Sequence, residues 1–124
     1  MFGETLLDHF RNPRNVGELP APAITVETSN PACGDILRLA AWFEGERVLA
    51  ARYRVRGCTA SIAAGSALTE MMIGETRTAL EAVSAAQVEE RLGGLPAESK
   101  HAAALCIDGL RTLLMASRRP RPDI

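Results

Sequence analysis

Apolar and polar positions alternate with two different periods along this chain. Leu6, Leu7 and Phe10 recur at helical spacing over residues 3–10, and Asn12-Pro13-Arg14-Asn15 followed by Gly17 supplies the stop. Leu19-Pro20-Ala21-Pro22 reads as an extended linker, because each proline restricts its own backbone and that of the residue before it. The period then drops to two. Ile24-Thr25-Val26-Glu27-Thr28 predicts a first strand, residues 36–43 a second with Leu37, Leu39, Ala41 and Phe43 on one face, and residues 48–55 a third. Glu44-Gly45-Glu46 is the hairpin turn between the last two. In the third strand Ala51, Tyr53 and Val55 point one way and Arg52, Arg54 and Arg56 the other, which predicts a one-faced antiparallel sheet with arginines on its wet side. That row reads as a solvated face.

From residue 59 the period becomes helical again. Thr59 to Met72 is a helix of small residues able to approach the sheet closely, closed by Gly74. Residues 78–84 and 86–92 predict two short helices, the second stopped by Gly93-Gly94. A long helix follows over residues 98–116, with Ala102, Leu105, Cys106, Gly109 and Leu113 as its apolar stripe. Strands followed by helices make the predicted class α+β, a three-stranded antiparallel sheet packed against helices. Residues 1–117 form one domain in this reading, and residues 118–124, with Arg118, Arg119 and Arg121 among prolines, a disordered basic tail.

Composition narrows the function. At 124 residues the chain can bury a core without metal or disulfide staples, which are needed only below about 40 residues, so stability does not explain its cysteines. A formal charge of −1, with Arg interleaved among Asp and Glu, gives no broad basic field and argues against nucleic acid as the partner. The first residues are acidic where a secretory signal is basic, and no apolar run approaches the roughly 18 residues of a membrane span. The expected location is cytoplasmic, away from membranes. Three cysteines, an odd number, fit a reducing compartment in which thiols act as ligands or nucleophiles.

The candidate chemistry lies at strand and helix ends. Asn30-Pro31-Ala32-Cys33-Gly34-Asp35 is a turn that places a thiol and a carboxylate two residues apart. Cys58 follows Gly57 at the end of the third strand and opens the small-residue helix, where the helix dipole and free amides suit an anionic sulfur. His101 stands at the first turn of the long helix. Cys33, Asp35, Cys58 and His101 together form a soft ligand set of the kind that holds zinc or an iron-sulfur cluster. Cys106 falls inside the apolar stripe and reads as core filling, and His9 as a partly exposed helix residue.

Three separated stretches resemble one family. Asp8-His9-Phe10-Arg11-Asn12-Pro13-Arg14-Asn15-Val16-Gly17, Pro31-Ala32-Cys33-Gly34-Asp35 and Gly57-Cys58-Thr59-Ala60-Ser61 are similar, in this order, to motifs of the IscU/NifU-type iron-sulfur cluster assembly scaffolds, over nearly the whole chain to Ser117. The resemblance implies three cysteine ligands plus an aspartate and a histidine at one tip, a cysteine desulfurase as sulfur donor, and recipient apo-proteins. Cys33, Asp35, Cys58 and His101 match that set residue by residue. The third cysteine does not: Ala102 stands in its place, with Cys106 one helical turn later, about 6 Å along the axis and too far to replace a bond of about 2.3 Å. Where IscU-type members carry Leu-Pro-Pro-Val-Lys for a specialised Hsp70 chaperone, this chain has Leu95-Pro96-Ala97-Glu98-Ser99, which makes that partner doubtful. No long insertion separates Cys58 from His101, so the zinc-dependent SufU-like branch is a poor match. The implied activity is that of a scaffold and carrier, not an enzyme, with Asp35 as a weakly held oxygen ligand that keeps a cluster labile. The alternative is a zinc-bound sulfur acceptor or interaction module, because two thiolates, one imidazole and one carboxylate suffice for tetrahedral zinc.

Overall fold

The computed structural model describes residues 2–31 and 34–118. Its elements run in the order α1 (Glu4–Arg11), β1 (Ile24–Ser29), β2 (Ile36–Glu44), β3 (Arg47–Arg56), α2 (Thr59–Met72), α3 (Arg77–Glu81), α4 (Ala85–Arg91), a 3-10 turn (Ala97–Ser99) and α5 (His101–Arg118). The three strands form one antiparallel sheet in the order β1-β2-β3. Helices α2 and α5 cover one face of it, and α1 packs on α2. The architecture is the α+β one that the change of period predicts.

The register makes one face of the sheet the floor of the core. Val26 stands beside Leu39 and Leu39 beside Tyr53; Thr28 stands beside Leu37 and Leu37 beside Val55. Leu37, Leu39 and Tyr53 are buried beneath Ala60, Ala63, Ala64, Ala67 and Leu68 of α2 and Leu105, Cys106 and Leu110 of α5. The opposite face carries Glu27, Arg38 and Arg54 in one row. Arg54 and Arg56 are exposed and Arg52 is half-buried, and Glu18 pairs with both Arg38 and Arg54, at 3.7 and 3.2 Å. The β2–β3 hairpin turns on Gly45, whose φ of 61° lies in the left-handed region that favours glycine.

Helix boundaries differ from the periodicity where a side chain caps the backbone. Thr76 accepts a hydrogen bond from the Ala79 N–H at 3.1 Å and starts α3 at Arg77. Ser84, expected at the end of that helix, is instead the N-cap of α4: its Oγ accepts from the Gln87 N–H at 3.3 Å, while Gln87 Oε1 accepts from the Ser84 N–H at 2.8 Å. The long helix starts later than residue 98, because Pro96 opens a 3-10 turn closed by the Ser99 N–H on its carbonyl at 2.9 Å. Arg118, expected in the tail, is the last residue of α5 and pairs with Glu81. Residues 119–124 lie outside the described residues.

The Asn12–Gly17 stretch closes the free edge of β3. Tyr53 donates its N–H to the Asn15 carbonyl at 2.9 Å and accepts from the Gly17 N–H at 2.9 Å, a short parallel bridge that leaves β3 less available to another chain. Asn15 achieves this with φ at 63° and ties its side chain to Thr69 Oγ1 at 3.2 Å. His9 is not the partly exposed residue expected. It is 5% exposed, with Nδ1 2.7 Å from Ser66 Oγ, because α1 lays this face on the small-residue stripe of α2.

Candidate metal centre

Antiparallel pairing brings the ends of the site together. Ile36 at the start of β2 lies opposite Arg56 at the end of β3, so the residues just outside the ladder, Asp35 and Gly57-Cys58, become neighbours. The β1–β2 loop is closed by hydrogen bonds from the Asn30 N–H to the Asp35 carbonyl at 2.9 Å and from the Gly34 N–H to the Asn30 carbonyl at 2.7 Å. Gly34 has φ at 78°, a conformation suited to glycine. Cys58 is the N-cap of α2, its extended backbone turning the chain from strand to helix. His101 opens α5, which packs on β1, β2 and α2, and so reaches the same end of the sheet.

Three of the four expected ligands meet there. Cys58 Sγ lies 3.5 Å from Asp35 Oδ2 and 3.5 Å from His101 Nε2, and His101 Nε2 lies 3.6 Å from Asp35 Oδ2. Bonds of about 2.0–2.3 Å to a tetrahedral ion place its ligand atoms about 3.3–3.8 Å apart, and the sulfur, nitrogen and oxygen here stand within that range of one another. The donor set, one soft sulfur, one imidazole and one carboxylate, fits zinc or iron. Cys33, the fourth expected ligand, lies outside the described residues.

Asp35 is held tightly for a residue at a loop end. It is 6% exposed, and its Oδ2 accepts a hydrogen bond from Ser61 Oγ at 2.5 Å and a longer contact from the Cys58 N–H at 3.5 Å. Burial pushes its carboxyl up, but the bonds from Ser61 and from the Cys58 backbone and thiol, with the charge of His101, outweigh that and hold it below the ordinary carboxylate value. Ser61 is fully buried in the first turn of α2 and also lies 3.4 Å from Cys58 Sγ. Gly57 forms the other wall, where an added Cβ would come within 2.6 Å of Asp35 Cγ. The sequence places Ser61 and Gly57 beside Cys58 in the Gly57–Ser61 motif but shows no role for either. The available signal was a hydroxyl three residues into a helix whose cap is a candidate ligand.

Cys106 does not join this group. It is 1% exposed within the core, and burial pushes its thiol up to about 12, so it stays protonated. Ala102, at the place of the family's third cysteine, is also fully buried. The Asp8–Gly17 motif serves the fold instead of the centre: its partners Ser66 and Thr69 lie eight and eleven residues along α2 from Cys58, about 12–17 Å up the helix axis.

The family model of the NifU-like N terminal domain matches residues 1–118, and the chain belongs to that family. It is 41% identical over 111 residues to the bifunctional protein NifU/MnmA of Rubrobacter xylanophilus, covering 88% of this chain but only 23% of that much longer protein. It is 34% identical over 115 residues to the iron-sulfur cluster assembly scaffold protein IscU 1 of Archaeoglobus fulgidus, covering 93% of this chain and 75% of that one. Its fold is similar to that of a proposed iron-sulfur cluster assembly scaffold protein for the SUF system of Fervidobacterium islandicum, with a TM-score of 0.72 and 21% identity, over 91% of this chain and 96% of the other.

Proposed function

We propose that this chain is an iron-sulfur cluster assembly scaffold, which binds iron and sulfide or a labile cluster through Cys33, Asp35, Cys58 and His101 and passes it on. The observation that carries this reading is the meeting of Cys58, Asp35 and His101, from three separate elements, at the spacing of a tetrahedral centre. The names of its curated relatives support it. The protein acts as a carrier, with the cluster as cargo. A cysteine desulfurase supplies the sulfur and apo-proteins receive the product, within the cytoplasm; among the described residues no helix is long and apolar enough to cross a membrane. A specialised Hsp70 chaperone fits poorly, since Ser99, buried, stands in the place of that motif's lysine and Glu98, exposed, in the place of its valine. Residues 1–117 carry this function.

A second reading has its own support. With Ala102 and Cys106 both in the core, a third thiolate is missing, and the remaining set suits a zinc-bound sulfur acceptor or interaction module. Anaerobic reconstitution with iron and sulfide separates the two. The scaffold develops sulfur-to-iron charge-transfer absorption that Cys58→Ser and Cys33→Ser abolish; one equivalent of zinc and no colour would establish the acceptor instead. Full metal content in both serine variants would overturn the site.

A further inference from the structure

We infer that Ser61 is the positioning residue of the metal centre: its hydroxyl, locked in the first turn of α2, fixes the Asp35 carboxylate as a one-oxygen ligand facing Cys58 and His101. The inference rests on the proposed site and adds to it a residue that touches no metal. A carboxylate on a loop end has two torsions to fix and four lone-pair sites to distribute. Here Ser61 Oγ meets Oδ2 at 2.5 Å, the short distance of a hydroxyl bonded to a charged oxygen. The serine itself is fully buried and cannot turn to water. The Gly57 backbone lies against the same carboxylate, since a Cβ there would stand 2.7 and 2.9 Å from its two oxygens. Against these neighbours Asp35 has one orientation, in which Oδ2 lies 3.5 Å from Cys58 Sγ and 3.6 Å from His101 Nε2.

Two consequences follow for a bound ion. The ordering of Asp35 is complete before the metal arrives, which raises affinity by removing an entropic cost of binding. One lone pair of Oδ2 is already committed to Ser61, so this oxygen offers the ion its remaining lone pair, with reduced donor strength.

Titration of the purified chain with Co(II), whose d–d absorption reports ligand number and type, tests this. Ser61→Ala is expected to bind about 10–100-fold more weakly, the usual effect of removing the partner of a ligand. Its spectrum should move toward that of Asp35→Ala. In the Asp35→Ala background Ser61→Ala should have no further effect. Gly57→Ala, which crowds the same carboxylate, should weaken binding likewise and be neutral once Asp35 is alanine; it keeps the test decisive should Ser61→Ala fail to fold by circular dichroism. Wild-type binding with Ser61→Ala unchanged in affinity and spectrum overturns the inference alone, as does an equal loss in the Asp35→Ala background. Failure of the wild type to bind Co(II) or zinc overturns the site and the inference together.

Discussion

Two residues with similar chemistry to the ligands turn out to serve the fold, and each makes a measurable claim. His9 is buried against Ser66, with Glu70 3.7 Å from Nε2 and Arg14 paired to Asp8 nearby. Burial, and then the Arg14 charge, push its imidazole below the ordinary value more strongly than Glu70 and Asp8 raise it. The unfolded chain therefore takes up a proton near pH 6.5 that the folded chain refuses, and stability falls as pH drops below about 6.5, while above it this histidine contributes no pH dependence. His9→Asn, which can keep the contact to Ser66 but cannot titrate, should flatten the urea midpoint between about pH 7.5 and 5.5 relative to wild type. Cys106 makes the opposite kind of claim. As a protonated core thiol it should be dispensable for metal: Cys106→Ala should leave zinc stoichiometry and affinity unchanged and cost about 1 kcal/mol in urea unfolding. A tenfold loss of zinc affinity in a folded Cys106→Ala protein would return it to the ligand set.

At the scale of elements, the approach of α2 to β3 sets how close Cys58 can come to Asp35. Gly65 sits directly on the Tyr53 ring, where an added Cβ would overlap the ring edge, and the Tyr53 hydroxyl donates to the Ile62 carbonyl at 2.6 Å one turn nearer the site. Alanine in a helix interior ordinarily gains about 1 kcal/mol over glycine. Overpacking of a buried contact costs about 1–3 kcal/mol and the ring has no free direction, so Gly65→Ala should lower the urea midpoint at an unchanged slope. The run of small residues over 59–68 made this close packing legible in the sequence, although which glycine met which ring required the register of β3. The strands were equally legible, because period-two alternation is a strong signal when one face is wet. The caps at Thr76 and Ser84 displaced the helix limits that periodicity suggested, since a capping side chain acts on backbone groups that hydrophobic spacing does not describe. His9 misled for a related reason: a polar residue on an otherwise exposed turn gives no sign that Ser66, 57 residues later, completes it. Cys58, Asp35 and His101 are legible because thiol, carboxylate and imidazole at strand and helix ends make up a metal-ligand set, whereas Ser61, a common residue in a common place, shows its role only in the geometry.

Over the whole molecule, the centre joins three parts of the chain that the core otherwise holds only at a distance: the β1–β2 loop, the start of α2 and the start of α5. An ion bound by Asp35, Cys58 and His101 exists only in the folded chain, since the ligands are 23 and 43 residues apart in sequence. Its binding energy therefore becomes folding stability by mass action. With zinc at about 100 times its dissociation constant the gain is about 2.7 kcal/mol, which for a domain of this size is a rise in Tm on the order of 10 °C. Calorimetric scans of the metal-stripped protein with increasing zinc should show this rise continuing with the logarithm of free zinc. Cys58→Ser should remove most of it and Cys106→Ala none. The starting Tm should be nearly equal for wild type and Cys58→Ser without metal, because the exposed thiol contributes little to packing. A zinc-independent Tm in the wild type, together with unaltered secondary structure, would mean that the three ligand atoms stand at coordinating distance without ever sharing an ion.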